Sequence, residues 1–281
     1  MRLATAVTTD GHVVAGPVIG DELIDVSTLI GPMPELLQPD MRYAIDDAAL
    51  KGKHHSVTSL RWLPPVVQPR RILCIGVNYA AHAAESDRPS TGLEHPVVFT
   101  RFASSFVGHE QPLVRPLAST AFDWEGELAV VIGRRARHVT VADAGGVIGG
   151  WSCLMDGTLR DFQRHSSQFI PGKNFDDSGS WGPWIVTPDE LPDASSLAIT
   201  TLVNGQKMQD ASTSDLIHPV AELIAYCSTF TTLEPGDVIA TGTPGGVGFA
   251  RTPPIFLTAG DVVEVTIEGV ATLRNVVEDE R

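Results

Sequence analysis

The chain has 281 residues, of which 43% are hydrophobic and 19% are charged. This length accommodates one large domain, or a large domain with a small one, and it can bury a core without disulfide staples. The formal net charge of −14 argues against a nucleic-acid partner, because phosphate backbones would be repelled. The same field would repel an anionic substrate, so an acidic substrate would need a local cation.

The cysteines and the N-terminal residues indicate the cellular compartment of the protein. Cys74, Cys153 and Cys227 are widely spaced and form no CxxC motif, which predicts three buried free thiols in a reducing compartment. The first residues lack the basic-then-apolar plan of a signal peptide, and no run of about 18 apolar residues could span a membrane. We therefore expect a cytoplasmic protein with no membrane partner.

The first part of the chain predicts a small sheet, a helix and a linker. Residues 1–31 alternate between short apolar runs and Gly or Asp turns, which is typical of a small antiparallel sheet. The run MRYAIDDAALKG at 41–52 predicts a helix. The proline-rich run LPPVVQPRR disfavours a helix interior or a central strand, so we place a linker at about 62–70.

Beyond the linker the chain is rich in predicted strands. Seven segments have the apolar and β-branched content of strands: RILCIGV, PVVFTRF, ELAVVIG, GPWIVT, SLAITTLVNG, DVIATGT and VVEVTIEG. Predicted helices are fewer: YAAHAAES, TLRDFQRH and SDLIHPVAELIAYCSTF. The pattern favours a β-rich α+β fold and lacks the βαβ rhythm of a doubly wound nucleotide-binding fold. We predict a small N-terminal domain over residues 1–68 and a larger domain over 69–281.

An acidic segment, FDWEGELAVVIG at 122–133, carries the first candidate chemistry, and its β-branched content predicts a strand from Glu127 onward. Side chains alternate along a strand, so Asp123, Glu125 and Glu127 share one face, opposite an apolar face. Three neighbouring carboxylates repel one another unless a cation lies between them or each of them reaches water. The segment predicts either a hard-metal site for Mg²⁺, Mn²⁺ or Ca²⁺, or a solvated edge strand that guards against aggregation.

A second acidic segment is MDGTLRDFQRH at 155–165. Helical spacing would place Asp156, Arg160 and Gln163 on one face, where Asp156 could add a third carboxylate ligand to a metal site. Arg160 and Gln163 could then donate hydrogen bonds to a substrate carboxylate or enolate. The alternative is an exposed helix with an ordinary Asp–Arg pair.

Two short segments offer proton transfer and positive charge. On a helix, His82 and Glu85 would touch at i, i+3, and a carboxylate beside an imidazole suits a general base that activates water. Lys173 follows a Pro-Gly turn between two phenylalanines, where it could donate charge to an anionic substrate. The alternatives are an exposed polar pair and an ordinary turn lysine.

The run EPGDVIATGTPGGVG at 234–248 predicts a strand that enters a glycine-rich loop. The backbone amides of such a loop could cradle an anion. No GK[ST] follows, and the glycine spacing does not fit a dinucleotide fingerprint, so a nucleotide is not indicated. The alternative is a flexible turn.

Taken in order, these segments resemble the fumarylacetoacetate hydrolase family. The matching runs are IGVNYAAHAAE, DWEGELAVVIG, DGTLRDFQ, GKNF, GPWIVT, VNGQKMQ and LEPGDVIATGTPGGVG. They cover roughly residues 70–280 in the family's order, and together they are highly specific. The resemblance implies the mixed β-roll of the family's C-terminal domain, found as a homodimer, with residues 1–68 as a variable N-terminal domain.

The resemblance also implies roles for individual residues. These are metal ligands Glu125, Glu127 and Asp156 for Mg²⁺ or Mn²⁺, with Ca²⁺ as an alternative; catalytic residues His82, Glu85 and Lys173; and substrate-binding residues Arg160, Gln163 and Thr243. Asp123 would lie beside the ligands, and the dyad of His82 and Glu85 would lie on a lid over 79–92.

Some positions depart from the family pattern and leave the substrate open. They are Met155, His218 and the pair His109–Glu110. We expect the shape of the substrate cavity to depend on residues 1–68, on the lid and on the turn at 105–113.

The expected activity is metal-dependent hydrolysis of a C–C bond in a small 1,3-diketo acid, such as an acylpyruvate, through a metal-stabilised enolate. A small anionic 2-oxo acid as partner and a role in the catabolism of aromatic compounds follow from the resemblance. Hydrolysis is favoured because both members of the water-activating dyad are present. The alternatives are an isomerase, tautomerase or decarboxylase of a 2-oxo or 2-hydroxymuconate-type acid, and a catalytically silent metal-binding protein.

Overall fold

A computed structural model describes residues 1–85 and 94–281 of the chain. Within these ranges the α-helices are few and short: α1 (Met33–Leu36), α2 (Arg42–Ala49), α3 (Ala80–Glu85), α4 (Arg160–Gln163), α5 (Ile170–Lys173) and α6 (Val220–Phe230). The strands are β1 (Arg2–Val7), β2 (Val13–Ile19), β3 (Glu22–Asp25), β4 (Lys53–Ser56), β5 (Arg61–Trp62), β6 (Ile72–Gly76), β7 (Val97–Thr100), β8 (Phe106–Val107), β9 (Leu113–Arg115), β10 (Phe122–Asp123), β11 (Gly126–Ile132), β12 (Ile148–Met155), β13 (Thr158–Leu159), β14 (Gly179–Val186), β15 (Ala198–Val203), β16 (Gln206–Ser212), β17 (Val238–Ala240), β18 (Val262–Ile267) and β19 (Ala271–Asp279). This β-rich composition confirms the predicted fold class, and each of the seven predicted strand segments contains a strand.

Most of these strands form one large mixed sheet. Its order is β4-β3-β2-β1-β14-β12-β11-β17-β6-β7, with β5 paired to β1 and β8 paired to β14. A second sheet has the order β16-β15-β18-β19-β9, and β10 pairs with β13. Strands joined by short connections are antiparallel, whereas β6 and β17 lie far apart in the sequence and pair in parallel.

Strand β11 lies inside the large sheet and is buried on both faces. Leu128 and Val130 pack in the core shared with the second sheet, whereas Ala129 packs in the core shared with the N-terminal strands. Because side chains alternate, Glu127 lies on the same face as Ala129. Strand β11 is paired on one side with β12 and on the other with β17, so the alternative of an exposed edge strand is wrong.

The N-terminal strands extend the large sheet. Strand β1 pairs antiparallel with β14, with Leu3 opposite Ile185. The antiparallel arrangement predicted for residues 1–31 is confirmed in β1, β2 and β3, and α2 occupies the predicted N-terminal helix. The division of the chain at residue 68 stays a prediction.

Two helices are shorter than the sequence pattern predicted. Helix α6 begins only at Val220, because Pro219 precedes it and disfavours helical backbone in the residue before it. Helix α4 covers four residues, because the two residues before it pair with β10 as strand β13. The prediction that Asp156 shares a helix with Arg160 and Gln163 was therefore wrong.

All three cysteines are free and buried, as predicted. None of the described helices is both long enough and apolar enough to cross a membrane. The expected homodimer and the cytoplasmic location stay predictions.

Candidate active site

A cavity of about 480 Å³ opens beside the start of strand β11. Seven of the predicted site residues line it: His82, Glu125, Glu127, Arg160, Gln163, Lys173 and Thr243. The remaining two, Glu85 and Asp156, contact His82 and Lys173 directly. The structure therefore brings all nine predicted site residues together, although their roles stay predictions.

Three carboxylates converge in a carboxylate cluster formed by Glu125, Glu127 and Asp156. Each offers an oxygen within 4.8 Å of the other two, and all three side chains are buried. Adjacent strands position them, since Glu127 lies near the start of β11 and Asp156 follows the end of its antiparallel neighbour β12. The amide of Asp156 donates to the carbonyl of Glu125 at 2.8 Å, which fixes their relative position.

Two cationic side chains offset part of this negative charge. Lys173 Nζ lies 2.6 Å from Glu125 Oε2 and 2.6 Å from Asp156 Oδ2. Arg160 Nη1 lies 2.7 Å from Glu125 Oε1, and Arg160 Nε lies 2.7 Å from Asp123 Oδ2. Nη2 of Arg160 is buried without a hydrogen-bond partner among the described residues. Arg160 also lines the cavity, where its guanidinium carbon lies 4.5 Å from the ring centroid of Phe249.

The two glutamates of the carboxylate cluster have opposite environments. Burial would raise the pKa of Glu125, but the charges of Lys173 and Arg160 lower this pKa to about 2. Burial raises the pKa of Glu127 well above its usual value, and the nearby carboxylates of Asp156 and Glu125 raise it further. Glu127 is thus the carboxylate whose negative charge most needs a cation.

Arg101 is a site residue that the sequence analysis missed. Its side chain is fully buried, and its Nη1 donates to Asp156 Oδ1 at 2.7 Å. The remaining donors bond to the carbonyl of Gly157, to the hydroxyl and carbonyl of Ser105, and to the hydroxyl of Ser178. Arg101 therefore fixes Asp156 and leaves its Oδ2 oxygen for the cluster. The available signal was an arginine directly after the apolar strand β7.

Replacing Arg101 should destabilise the protein strongly. Arg101→Met keeps a long apolar side chain but removes the cation that pairs with the buried Oδ1 of Asp156 and leaves only Lys173 at Oδ2, so we expect a loss of about 3–5 kcal/mol in the free energy of unfolding. Urea unfolding without added metal measures this loss. Arg70→Met is the matched control, because Arg70 is exposed and has no ion pair or hydrogen bond within the described ranges. Equal stability of the two variants would contradict the role given to Arg101.

These groups fit a hard divalent cation. Mg²⁺, Mn²⁺ and Ca²⁺ prefer carboxylate oxygens as ligands. Four buried carboxylates, those of the cluster and Asp123, face three buried cations, Arg101, Arg160 and Lys173, in the described part of the site. One carboxylate charge is thus left without compensation, and a cation bound at the cluster would remove this excess.

The glycine-rich loop after β17 supplies backbone amides to the carboxylates of the site. These bonds are Gly242 N to Glu127 Oε2 at 2.9 Å, Gly246 N to Glu85 Oε1 at 2.6 Å and Gly248 N to Asp123 Oδ1 at 2.7 Å. The predicted anion cradle is present, but the anions that it holds are side chains of this chain. The alternative of a merely flexible turn is wrong.

A side chain at Gly246 should disrupt this loop. Gly246 has a φ of +104°, and a Cβ added there would lie 2.1 Å from the carbonyl oxygen of Met208. Gly246→Ala combines left-handed strain with a clash, so we expect a loss of about 2–4 kcal/mol in the free energy of unfolding. Gly260→Ala is the control, because Gly260 has a φ of +93° in open space and should lose only about 1–2 kcal/mol. Equal losses in urea unfolding would rule out the clash.

His82 and Glu85 form the predicted pair on helix α3. Nδ1 of His82 lies 3.2 Å from Glu85 Oε2, and the His82 side chain is buried and lines the cavity. Its ring packs edge-on against Phe249, with ring centroids 6.5 Å apart. The alternative of an exposed polar pair is therefore wrong. Residues 86–92 of the predicted lid lie outside the described residues.

The loop between α4 and α5 forms the rim of the cavity. This rim loop contributes four lining residues, which are Arg164, Ser166, Ser167 and Phe169. None of the described residues of 1–68 or 105–113 lines the cavity, so the prediction that they shape it was wrong.

The departures from the family pattern also lie away from the cavity. His109 packs against Trp62, with ring centroids 6.2 Å apart. His218 Nδ1 lies 3.5 Å from Glu222 Oε2 at the start of α6, and Met155 packs in the core. None of these three departures alters the described lining of the cavity.

The family described as "Fumarylacetoacetate (FAA) hydrolase C-terminal" matches residues 71–278. The chain belongs to the fumarylacetoacetate hydrolase family. The matched span contains all nine predicted site residues, so the resemblance seen in the sequence motifs is confirmed.

Similar members of the fumarylacetoacetate hydrolase family carry different names. The chain is 40% identical over 220 residues to "Oxaloacetate tautomerase FAHD2A, mitochondrial" of Bos taurus, which covers 78% of this chain and 69% of that protein. It is 31% identical to maleylpyruvate hydrolase from Sphingobium sp. SYK-6, solved with manganese(II) and pyruvate, with a TM-score of 0.83 over 100% of both chains. It is 33% identical to 5-carboxymethyl-2-hydroxymuconate delta-isomerase from Mycobacterium smegmatis, with a TM-score of 0.81 over 100% of both chains. These likenesses indicate an enzyme and leave tautomerase, hydrolase and isomerase as its candidate reactions.

Proposed function

We propose that this chain is a divalent-metal-dependent enzyme that interconverts the keto and enol forms of oxaloacetate or a closely similar 2-oxo acid, with Mg²⁺ or Mn²⁺ as the metal. The observation that carries the proposal is that His82 lines the same cavity as the carboxylate cluster and its two cations. The oxaloacetate tautomerase that is 40% identical supports this choice among the three reactions.

The carboxylate cluster would hold the metal, and the manganese in the maleylpyruvate hydrolase structure supports such a site. When bound there, a divalent ion supplies a Lewis acid for the oxygens of the 2-oxo acid and turns the excess of negative charge into an excess of positive charge. Arg101 and Lys173 hold Asp156 in position from two sides. The strong negative field of the chain is thereby offset where the substrate binds.

His82 would carry the proton transfer. Its Nδ1 faces Glu85 and its ring lines the cavity, where Nε2 would exchange a proton with the carbon next to the 2-oxo group. Removing a proton from that carbon moves negative charge onto the neighbouring oxygen. The positive charges of the Lys173 ammonium and the Arg160 guanidinium, which both line the cavity, would stabilise this charge.

The decisive assay follows the ultraviolet absorbance of the enol of oxaloacetate. With chelator-treated protein, the enol should convert to the keto form at nearly the rate seen in buffer. Added Mg²⁺ or Mn²⁺ should raise this rate above the rate that the same metal gives in buffer without protein. Released pyruvate is measured in parallel, to separate tautomerisation from decarboxylation. No acceleration with either metal would overturn the proposal.

The volume of the cavity favours a second candidate, the C–C bond hydrolysis expected from the sequence. A cavity of about 480 Å³ leaves room beyond a four-carbon acid for a longer acyl group, and the His82–Glu85 pair could activate water. Metal-dependent release of pyruvate from acetylpyruvate or fumarylpyruvate would support hydrolysis and a role in aromatic catabolism. Tautomerisation without such release would reject it.

A further inference from the structure

We infer that Arg164 binds a second, distal carboxylate of the substrate, so that the site selects 2-oxo dicarboxylic acids over 2-oxo monocarboxylic acids. The inference rests on the proposed function, because it places the 2-oxo acid head of the substrate at the carboxylate cluster.

Arg164 differs from the other cations of the cavity in having no partner. Arg160 and Lys173 are each held by two carboxylates. The exposed side chain of Arg164 makes neither an ion pair nor a hydrogen bond with any described residue, whereas the side chain of every other charged lining residue has such a partner. An unpaired guanidinium can bind a carboxylate through two parallel hydrogen bonds.

The rim loop holds Arg164 close to the reacting part of the cavity. Arg164 directly follows Gln163, the last residue of α4. Gly172 packs against the backbone of Gln163 so closely that a Cβ on Gly172 would lie 2.3 Å from Gln163 N. Phe169 packs edge-on against Phe99, with ring centroids 5.7 Å apart. The two ends of the rim loop are therefore packed against their neighbours, and the exposed Arg164 lines the cavity.

The rest of the lining offers no comparable place for a distal carboxylate. The apolar residues of the described lining, Ile75, Val77, Phe99, Phe169 and Phe249, offer no side-chain donor to a carboxylate. On the rim itself, Ser166 and Ser167 add hydroxyl donors beside Arg164. The net charge of −14 repels a dianion more strongly than a monoanion, so a rim cation matters most for a dicarboxylic acid.

A matched pair of acids tests the inference without turnover. 2-Oxoglutarate and 2-oxopentanoate have the same chain length and differ only in the distal carboxylate. We expect calorimetry on the Mn²⁺-loaded protein to give a lower Kd for 2-oxoglutarate. Arg164→Met should raise that Kd by about tenfold and change the Kd of 2-oxopentanoate less than about twofold. Arg164→Lys should restore part of the preference, because it keeps the charge.

Arg70→Met is the control, because it removes one exposed positive charge that does not line the cavity. It should leave both Kd values unchanged, which separates local binding from the overall field. Equal weakening of both acids by Arg164→Met, or no preference in the wild-type protein, would overturn the inference. Failure of the proposed function is distinguishable, since it shows as absent oxaloacetate turnover while the calorimetric preference persists.

Discussion

Glu127→Gln should abolish metal-dependent turnover and leave the metal-free protein as stable as before. Glutamine keeps the volume of Glu127 and an oxygen that can accept from the amide of Gly242, now 2.9 Å away. Burial and the neighbouring carboxylates raise the pKa of Glu127 and disfavour its charged form, so a neutral glutamine should cost no stability without metal. We expect turnover to fall by more than about 100-fold, because even the outer partners of metal ligands are worth about 10–100-fold.

Unfolding with and without metal separates this loss from misfolding. At a metal concentration about 100 times Kd, the wild-type protein should gain about 2.7 kcal/mol in the free energy of unfolding, because the metal binds only the folded state. Glu127→Gln should gain almost none of it. Glu35→Gln is the control, since Glu35 is exposed and lies outside the cavity lining. Undiminished stabilisation of Glu127→Gln by metal would remove Glu127 from the ligand set.

The acidic strand shows what local pattern predicts well. Alternation along 122–133 correctly placed Glu127 on the face opposite Leu128, Val130 and Ile132, because the two faces of a strand are a property of the strand itself. The choice between a metal site and an exposed edge depended on what pairs with the strand. Strand β17, which covers one side, lies more than a hundred residues away in the sequence.

Asp156 shows how a member of the carboxylate cluster can be selected through a wrong local structure. The spacing of Asp156, Arg160 and Gln163 predicted one helical face, but a strand separates Asp156 from helix α4. Asp156 reaches the cluster because it follows β12, the neighbour of β11. The resemblance to the family supplied its role, and helical periodicity did not.

Arg101 and the glycine-rich loop show why the remaining contacts were not predicted. Arg101 bonds to Asp156 and Ser178, whose positions beside it follow from the assembly of the large sheet. The glycine pattern indicated an anion but carried no information about which one. The amide of Gly242 finds Glu127 only because β17 pairs with β11.

His82→Ala should lower turnover by about 10²–10⁴-fold, the usual contribution of a general acid–base residue. Metal binding should be unaffected, because His82 contacts Glu85 and Phe249 and does not belong to the carboxylate cluster that would hold the metal. Initial rates of oxaloacetate tautomerisation and the metal-induced rise in Tm test the two halves of this expectation. His54→Ala is the matched control: His54 also pairs with a glutamate, Glu22, at 2.8 Å, but it is exposed and lies on β4.

The same variant distinguishes the two candidate reactions. If His82 moves the proton on carbon, His82→Ala should lose tautomerisation even in substrates that cannot be hydrolysed. If the pair of His82 and Glu85 only activates water, His82→Ala should lose the hydrolysis of acylpyruvates and keep tautomerisation at the wild-type rate. The second result would assign proton transfer on carbon to another donor of the cavity, with Lys173 as the first to replace, because its ammonium group lies between Glu125 and Asp156.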